Sequence, residues 1–329
     1  LDYLTLDRTA GSLAGGEAAP IYEFETSISA YEWAPDGQRL VFIAAEAKKE
    51  EADKEELPYE PEVYEENLSF SRGYVVDLEN GEREQIGLSG HLTGAQWSPD
   101  GTLLAVTTAP SPMVDDFFMK RRIAILDAGR LQTEKASVDH AAKLGQLAWS
   151  PDSRHLAFIA GAHLNDPIDG RLFVVPAAGG KPTNLQPGFE GKFESIAWAD
   201  DHTIEFIASK GVWSMMGRIG ADGSNRQTVI DTGGPILTAF DCEGDRCVFV
   251  AETPQHPGEL YLMKNGEATP RRVSNHNPWL ADIALGTQEP VSYQARDGLE
   301  IQGILIRPLD YREGQRYPLV TVVHGGPEA

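Results

Sequence analysis

One phrase, Trp-x-Pro-Asp-Gly, recurs along this chain, and a chain that repeats one hairpin folds by stacking its copies. Trp33-Ala-Pro-Asp-Gly37 runs into Arg39-Leu-Val-Phe-Ile-Ala44, Trp97-Ser-Pro-Asp-Gly101 into Leu103-Leu-Ala-Val-Thr-Thr108, and Trp149-Ser-Pro-Asp-Ser153 into His155-Leu-Ala-Phe-Ile-Ala160. Worn copies follow at Trp198-Ala-Asp-Asp201 with Ile204-Glu-Phe-Ile-Ala208, and at Phe240-Asp-Cys-Glu-Gly244 with Cys247-Val-Phe-Val-Ala251. Pro fixes φ and Gly accepts positive φ, so each copy turns one apolar strand back on another. The aromatic anchors recur at intervals of about 40–65 residues, the period of four-stranded propeller blades with loop insertions.

A third strand ending in a polar turn follows each hairpin. Examples are Gly73-Tyr-Val-Val-Asp-Leu78, Arg122-Ile-Ala-Ile-Leu-Asp127, Arg171-Leu-Phe-Val-Val175 and Glu259-Leu-Tyr-Leu-Met263. Polar fourth strands such as Glu82-Arg-Glu-Gln-Ile86 complete the blades, and five complete blades are counted this way. Asp2-Tyr-Leu-Thr-Leu-Asp7 resembles the third strand of an incomplete blade, and Trp279-Leu-Ala-Asp-Ile-Ala-Leu285 reads as a closing strand. The fold class predicted is mostly β: a β-propeller of seven blades, or six, over residues 1–288. At this spacing the tryptophans are blade-packing residues that bury large apolar area.

Composition narrows the partners. A formal charge of -22 leaves no clustered Lys and Arg to neutralise phosphates, which argues against nucleic acid and against anionic membrane surfaces. No apolar run reaches the length of a membrane span, and no signal segment opens the chain. Numbering starts at Leu1 rather than Met, as in a processed or truncated product.

The repeat ends near residue 287. Pro290-Val-Ser-Tyr-Gln-Ala-Arg-Asp-Gly298 followed by Leu299-Glu-Ile-Gln-Gly-Ile-Leu-Ile-Arg-Pro308 reads as a separate hairpin, and a polar linker leads to Tyr317-Pro-Leu-Val-Thr-Val-Val-His-Gly-Gly-Pro327. That last stretch predicts a short interior strand running into a turn whose paired glycines let backbone N–H groups face a ligand. A nucleophile elbow Gly-x-Ser-x-Gly would follow such a turn in an α/β-hydrolase. The nearest imitation, Gly87-Leu-Ser-Gly-His91, lacks the final glycine and precedes a strand, so it is not read as a nucleophile.

These three elements together, the Trp-Ser-Pro-Asp-Gly repeat, Asp297-Gly-Leu-Glu-Ile-Gln-Gly-Ile-Leu-Ile-Arg-Pro308 and the Tyr-Pro-Leu-Val…His-Gly-Gly-Pro ending, resemble the prolyl oligopeptidase family of serine peptidases. The resemblance spans the whole chain and is nearest to the acylaminoacyl-peptidase and dipeptidyl-peptidase-like branch. It implies a propeller restricting access for short peptides, with residues 289–329 as the first strands of an α/β-hydrolase domain. It also implies a Ser-His-Asp triad beyond Ala329, so this chain alone is expected to be inactive and to need the missing catalytic domain as its partner. Gly326 or Gly325 would supply an oxyanion N–H, and His324 would be a positioning residue rather than the triad histidine. The alternatives are a non-catalytic propeller that binds partners, and an esterase of the same architecture; self-association is compatible with either.

An insertion at residues 46–66 carries ten acidic residues against three lysines. Such a segment reads as a solvated loop or short helix. Dipeptidyl peptidases of the resembled family hold the substrate ammonium with paired glutamates, and Glu55 with Glu56, or Glu65 with Glu66, are candidates for that role. The eight histidines are scattered, and no Cys/His cluster, Gly-x-Gly-x-x-Gly or calcium loop is present, so no metal and no cofactor are expected.

The two cysteines leave two readings open. Aligned on the third repeat, Cys242 and Cys247 face across a turn within disulfide reach; buried free thiols of a cytoplasmic protein are the other reading. A bridge closing so short a ring would contribute only about 2 kcal/mol. Its main import would be an oxidising, extracytoplasmic compartment such as a periplasm, which is slightly favoured over the cytoplasm.

Overall fold

The computed structural model describes residues 2–5, 20–47, 64–65, 68–166 and 168–323. Strands β1 (Asp2–Thr5) and β2 (Pro20–Phe24) pair antiparallel. Five four-stranded sheets then follow, each built from four strands in sequence order. The first is β3 (Ile28–Trp33), β4 (Arg39–Ala45), β5 (Ser71–Asp77) and β6 (Arg83–Gln85). The second is β7 (His91–Trp97), β8 (Leu103–Ala109), β9 (Arg122–Asp127) and β10 (Arg130–Ser137), with helix α1 (Val114–Met119) between β8 and β9. The third is β11 (Leu144–Trp149), β12 (His155–Ala160), β13 (Arg171–Pro176) and β14 (Thr183–Asn184). The fourth is β15 (Lys192–Trp198), β16 (Thr203–Lys210), β17 (Trp213–Gly220) and β18 (Gln227–Ile230). The fifth is β19 (Ile236–Glu243), β20 (Arg246–Thr253), β21 (His256–Lys264) and β22 (Arg271–Arg272). These are the five blades counted from the repeat.

The chain divides into two compact units, Leu1–Leu156 with His163–Asp166 and Val175–Thr183, and Ala157–Ala162 with Pro167–Val174 and Asn184–Ala329. In the first unit, Val41, Ile43 and Val75 of the first sheet pack with Trp97, Leu104, Val106 and Leu126 of the second. Burial on both faces explains why β4, β8 and β12 read as unbroken apolar runs rather than as alternating ones, whereas β20 buries alternate residues and leaves Val248 and Val250 exposed. In the second unit, Ile207 and Met216 of the fourth sheet pack with Phe249, Tyr261 and Met263 of the fifth. No helix is long and apolar enough to cross a membrane among the described residues.

The repeated turn works as its residues require. Gly37 and Gly101 sit at φ 68° and 69°, and Ser153 takes the same conformation at φ 61°. A non-glycine residue there is strained, but the Ser153 hydroxyl accepts a hydrogen bond from the Asp100 backbone N–H at 3.1 Å, tying one turn to the next. Burial of the tryptophan is shared by Trp97 and Trp149 but its hydrogen bond is not: Trp149 Nε1 donates to the Gln96 carbonyl at 3.2 Å, whereas the Trp97 Nε1 has no partner among the described residues.

Two expectations are corrected. The closing strand at residues 279–285 is instead a 3-10 helix, Pro278–Asp282, with Trp279 58% exposed. Pro278 has no N–H to give a ladder and is preset for a helical first turn, so the segment coils. The interior strand expected at residues 318–323 is also not a strand. Leu319 and Val323 are 77% and 85% exposed, and no described strand lies beside them to accept their N–H groups. A β-branched run buries both faces only inside a sheet. Amide exchange at Leu319–Val323 in the 329-residue chain is therefore expected at near-unprotected rates; protection comparable to that of β16 would contradict this placement.

The hairpin outside the repeat forms as read. Strands β23 (Gln288–Gln294) and β24 (Glu300–Ile306) pair antiparallel as a sheet of their own around the Asp297-Gly298 turn.

Candidate functional site

In every four-stranded sheet a tight turn, of the Pro-Asp-Gly type in the first two, joins the first two strands, so the connection from second to third strand opens at the opposite end. In the second sheet this connection carries α1, whose Asp116 is buried and bonded by Ser111 Oγ at 2.6 Å and Lys120 Nζ at 2.7 Å. In the second unit the corresponding turns of the fourth and fifth sheets approach β23 and β24. The Val212 N–H donates to Gln302 Oε1 of β24 at 3.3 Å, seating the hairpin on the fourth sheet's turn.

Between these elements lies a cavity of about 470 Å³. Trp213, Ile236, Leu280, Leu285, Pro290 and Ile304 give it an apolar lining, and Glu252, Glu289 and His256 supply its ionisable groups. Glu289 is held by Arg307, whose Nε donates at 3.0 Å and whose guanidinium lies 4.2 Å over the Tyr311 ring. His256 Nδ1 donates to the Pro257 carbonyl at 2.8 Å, so Nε2 takes the Tyr261 hydroxyl hydrogen at 2.9 Å. Apolar walls with a few oriented polar groups are what a small ligand site needs.

Glu259, on the same strand β21 as His256, is fully buried. Its carboxylate accepts from Ser274 Oγ, from the His276 backbone N–H at 2.7 Å, from His276 Nδ1 at 2.9 Å and from Arg272 at 3.5 Å. The Ser274 hydroxyl, above all, with the His276 donors and Arg272, outweighs burial and pulls the carboxyl down to about 2. The network binds the last sheet to the segment that leads toward the cavity. Because the folded pKa is depressed, the stabilisation is complete above the unfolded value near 4.5 and is lost as pH falls through 2. Glu259→Gln is expected to flatten the fall of Tm between pH 4.5 and 2; a slope equal to the wild type's would contradict this role.

The residues predicted from the sequence fare unequally. Cys242 and Cys247 come together: they are register partners on β19 and β20, and their sulfurs are bonded. The turn between them is tighter than the four-residue loop expected, because Glu243 pairs with Arg246 and Gly244 takes φ 61° at the first central position. Glu65 is half-buried at φ 62°, next to the exposed Tyr64. Glu55, Glu56, Glu66, His324, Gly325 and Gly326 lie outside the described residues. Ser89 of the elbow imitation sits in the connection before β7, and the adjacent His91 Nδ1 accepts the Ser71 N–H at 2.9 Å, a structural use. Sequence reasoning did not single out Glu259, His256 or Trp213, since each falls on an ordinary strand position.

No family model matches the chain. Dipeptidyl-peptidase 5 of Porphyromonas gingivalis is 26% identical over 243 residues, covering 70% of this chain and 34% of that protein. An acylaminoacyl peptidase of Pyrococcus horikoshii has the same fold over 92% of this chain and 46% of its own, with a TM-score of 0.65 at 16% identity. The chain is a β-propeller related to peptidases of the prolyl oligopeptidase family. Dipeptidyl peptidase 4 of Porphyromonas gingivalis shares the propeller fold at a TM-score of 0.59 and 13% identity, over 88% of this chain and 43% of its own. The propeller chain thus spans about a third of its curated relative and less than half of each solved peptidase.

Proposed function

We propose that this chain is the propeller portion of a serine peptidase that hydrolyses short peptides, with the blades restricting which substrates reach the catalytic centre. The observation that supports this most is a single relationship carried along the chain: the five-blade repeat, the Asp297-Gly298 hairpin and the similarity to a dipeptidyl-peptidase over 70% of the sequence. Acyl transfer needs a nucleophile, a base and donors aimed at the developing oxyanion. On this reading the Gly325 or Gly326 N–H is such a donor and His324 positions that turn, while serine, acid and histidine follow Ala329. The propeller contributes selection, admitting an extended or short chain and excluding a folded one.

The test is a substrate panel presented to the protein that carries this chain together with the sequence following it. Dipeptidyl and acylaminoacyl p-nitroanilides should be turned over, and folded proteins should not. Turnover of acyl esters with no anilide hydrolysis would overturn the peptidase reading in favour of an esterase.

A further inference from the structure

Three residues of the second unit depart from the repeat, and the fold brings them to one point. In the second strands, Val41, Ala105, Ala157 and Val248 occupy one repeat position, and the fourth copy puts Glu205 there. One position earlier, Leu40, Leu104, Leu156 and Ile204 give way to Cys247 in the fifth copy. At the turn, Pro35, Pro99 and Pro151 give way to Cys242. The first three blades bury Val41, Ala105 and Ala157 where Glu205 stands, so burying a carboxylate there meets a desolvation cost that the fold does not require.

Glu205 is 2% exposed and Cys247 4%. A Glu205 carboxylate oxygen and the two cysteine sulfurs all lie within 4.8 Å of one another. Arg218 sends both Nε and Nη2 to the same oxygen, Oε1, at 2.7 and 2.6 Å. No described residue donates a hydrogen bond to Oε2. Because Cys242 and Cys247 are register partners across β19 and β20, the hairpin keeps both sulfurs beside Glu205 when the bond between them is broken.

We propose that on reduction of the bridge Glu205, Cys242 and Cys247 become a three-ligand site for a borderline-soft divalent cation of the zinc class, with a fourth position open to water. Two thiolates and a carboxylate suit such an ion in ligand type and number. The filled site is electrically neutral, since three anions and the Arg218 guanidinium balance a dication. Reduction by a phosphine breaks the S–S bond: phosphorus is oxidised to its oxide with the oxygen of a water, and that water's two protons end on the sulfurs. Cation binding forms two metal–sulfur bonds and releases both protons.

The experiment uses the full 329-residue chain, reduced with tris(2-carboxyethyl)phosphine, desalted anaerobically and titrated with Cd²⁺ while thiolate-to-cadmium charge-transfer absorption is followed. The reduced chain should bind one equivalent, and the oxidised chain none. Cys242→Ser and Cys247→Ser should each abolish stoichiometric binding. Glu205→Gln should keep two titratable thiols and a native circular dichroism spectrum yet weaken Cd²⁺ binding about 10–100-fold. Three results would overturn the proposal: no charge-transfer band in a reduced chain that stays folded, loss of the β spectrum on reduction alone, or undiminished affinity in Glu205→Gln. If Cys247→Ser does not fold, Cys242→Ser, at the less buried position, carries the same reading.

Discussion

Arg218→Ala is expected to lower stability by about 3 kcal/mol, the cost of leaving a buried carboxylate without its partner. The Glu205 side chain is 3% exposed, and Arg218 is its only described hydrogen-bond donor. At about 2–4 °C per kcal/mol for a unit of this size, Tm should fall by roughly 6–12 °C. The companion variant separates the pair from its geometry. Glu205→Val with Arg218→Met restores the apolar residue that the other blades use at this position, and should be near neutral or more stable than the wild type. A single Arg218→Ala loss below about 1 kcal/mol, the range of an exposed pair, would show that Glu205 is solvated rather than buried.

Glu32→Gln is expected to raise stability at pH 8 and to leave it nearly unchanged at pH 4. Glu32 lies on β3 beside β7, half-buried, and burial pushes its carboxyl up from the usual 4.5 to about 7, partly offset by a hydrogen bond from the Trp97 backbone N–H. The folded chain therefore holds this proton more tightly than the unfolded chain does. Stability falls as pH rises from about 4.5 to 7 and is level above that. Allowing for solvent screening of a half-exposed group, the difference at pH 8 is about 2 kcal/mol. Urea unfolding of both proteins at pH 4 and 8 measures it. Equal pH dependence in the two would remove Glu32 as the source.

The repeat was readable because its chemistry is local. Trp97, Pro99, Asp100 and Gly101 specify a turn and a packing anchor within five residues, and three near-identical copies fix the period. The disulfide geometry followed from the same alignment, since register places Cys242 opposite Cys247. What failed depended on partners far away in the chain. Leu319–Val323 has the composition of an interior strand, yet composition cannot supply the neighbouring strands that make it one. Trp279 sat at a plausible strand position, but Pro278 before it decided for a helical turn. Glu259 looks like any charged residue on a strand, and its four acceptor contacts come from residues 272–276, which only the fold brings back to it. Glu205 was legible in principle: it is the one charged residue at a position that the other copies fill with Val or Ala.

The central claim, that this propeller serves a serine peptidase whose nucleophile follows it, is tested most directly by fluorophosphonate labelling. The 329-residue chain and the same chain extended through the sequence that follows Ala329 are treated side by side, with peptide anilide turnover measured in parallel. The account predicts stoichiometric labelling and turnover in the extended protein, and neither in the 329-residue chain, because an oxyanion donor without a nucleophile gives no covalent adduct. Labelling of the 329-residue chain, or an extended protein that is folded yet neither labelled nor active, would contradict it.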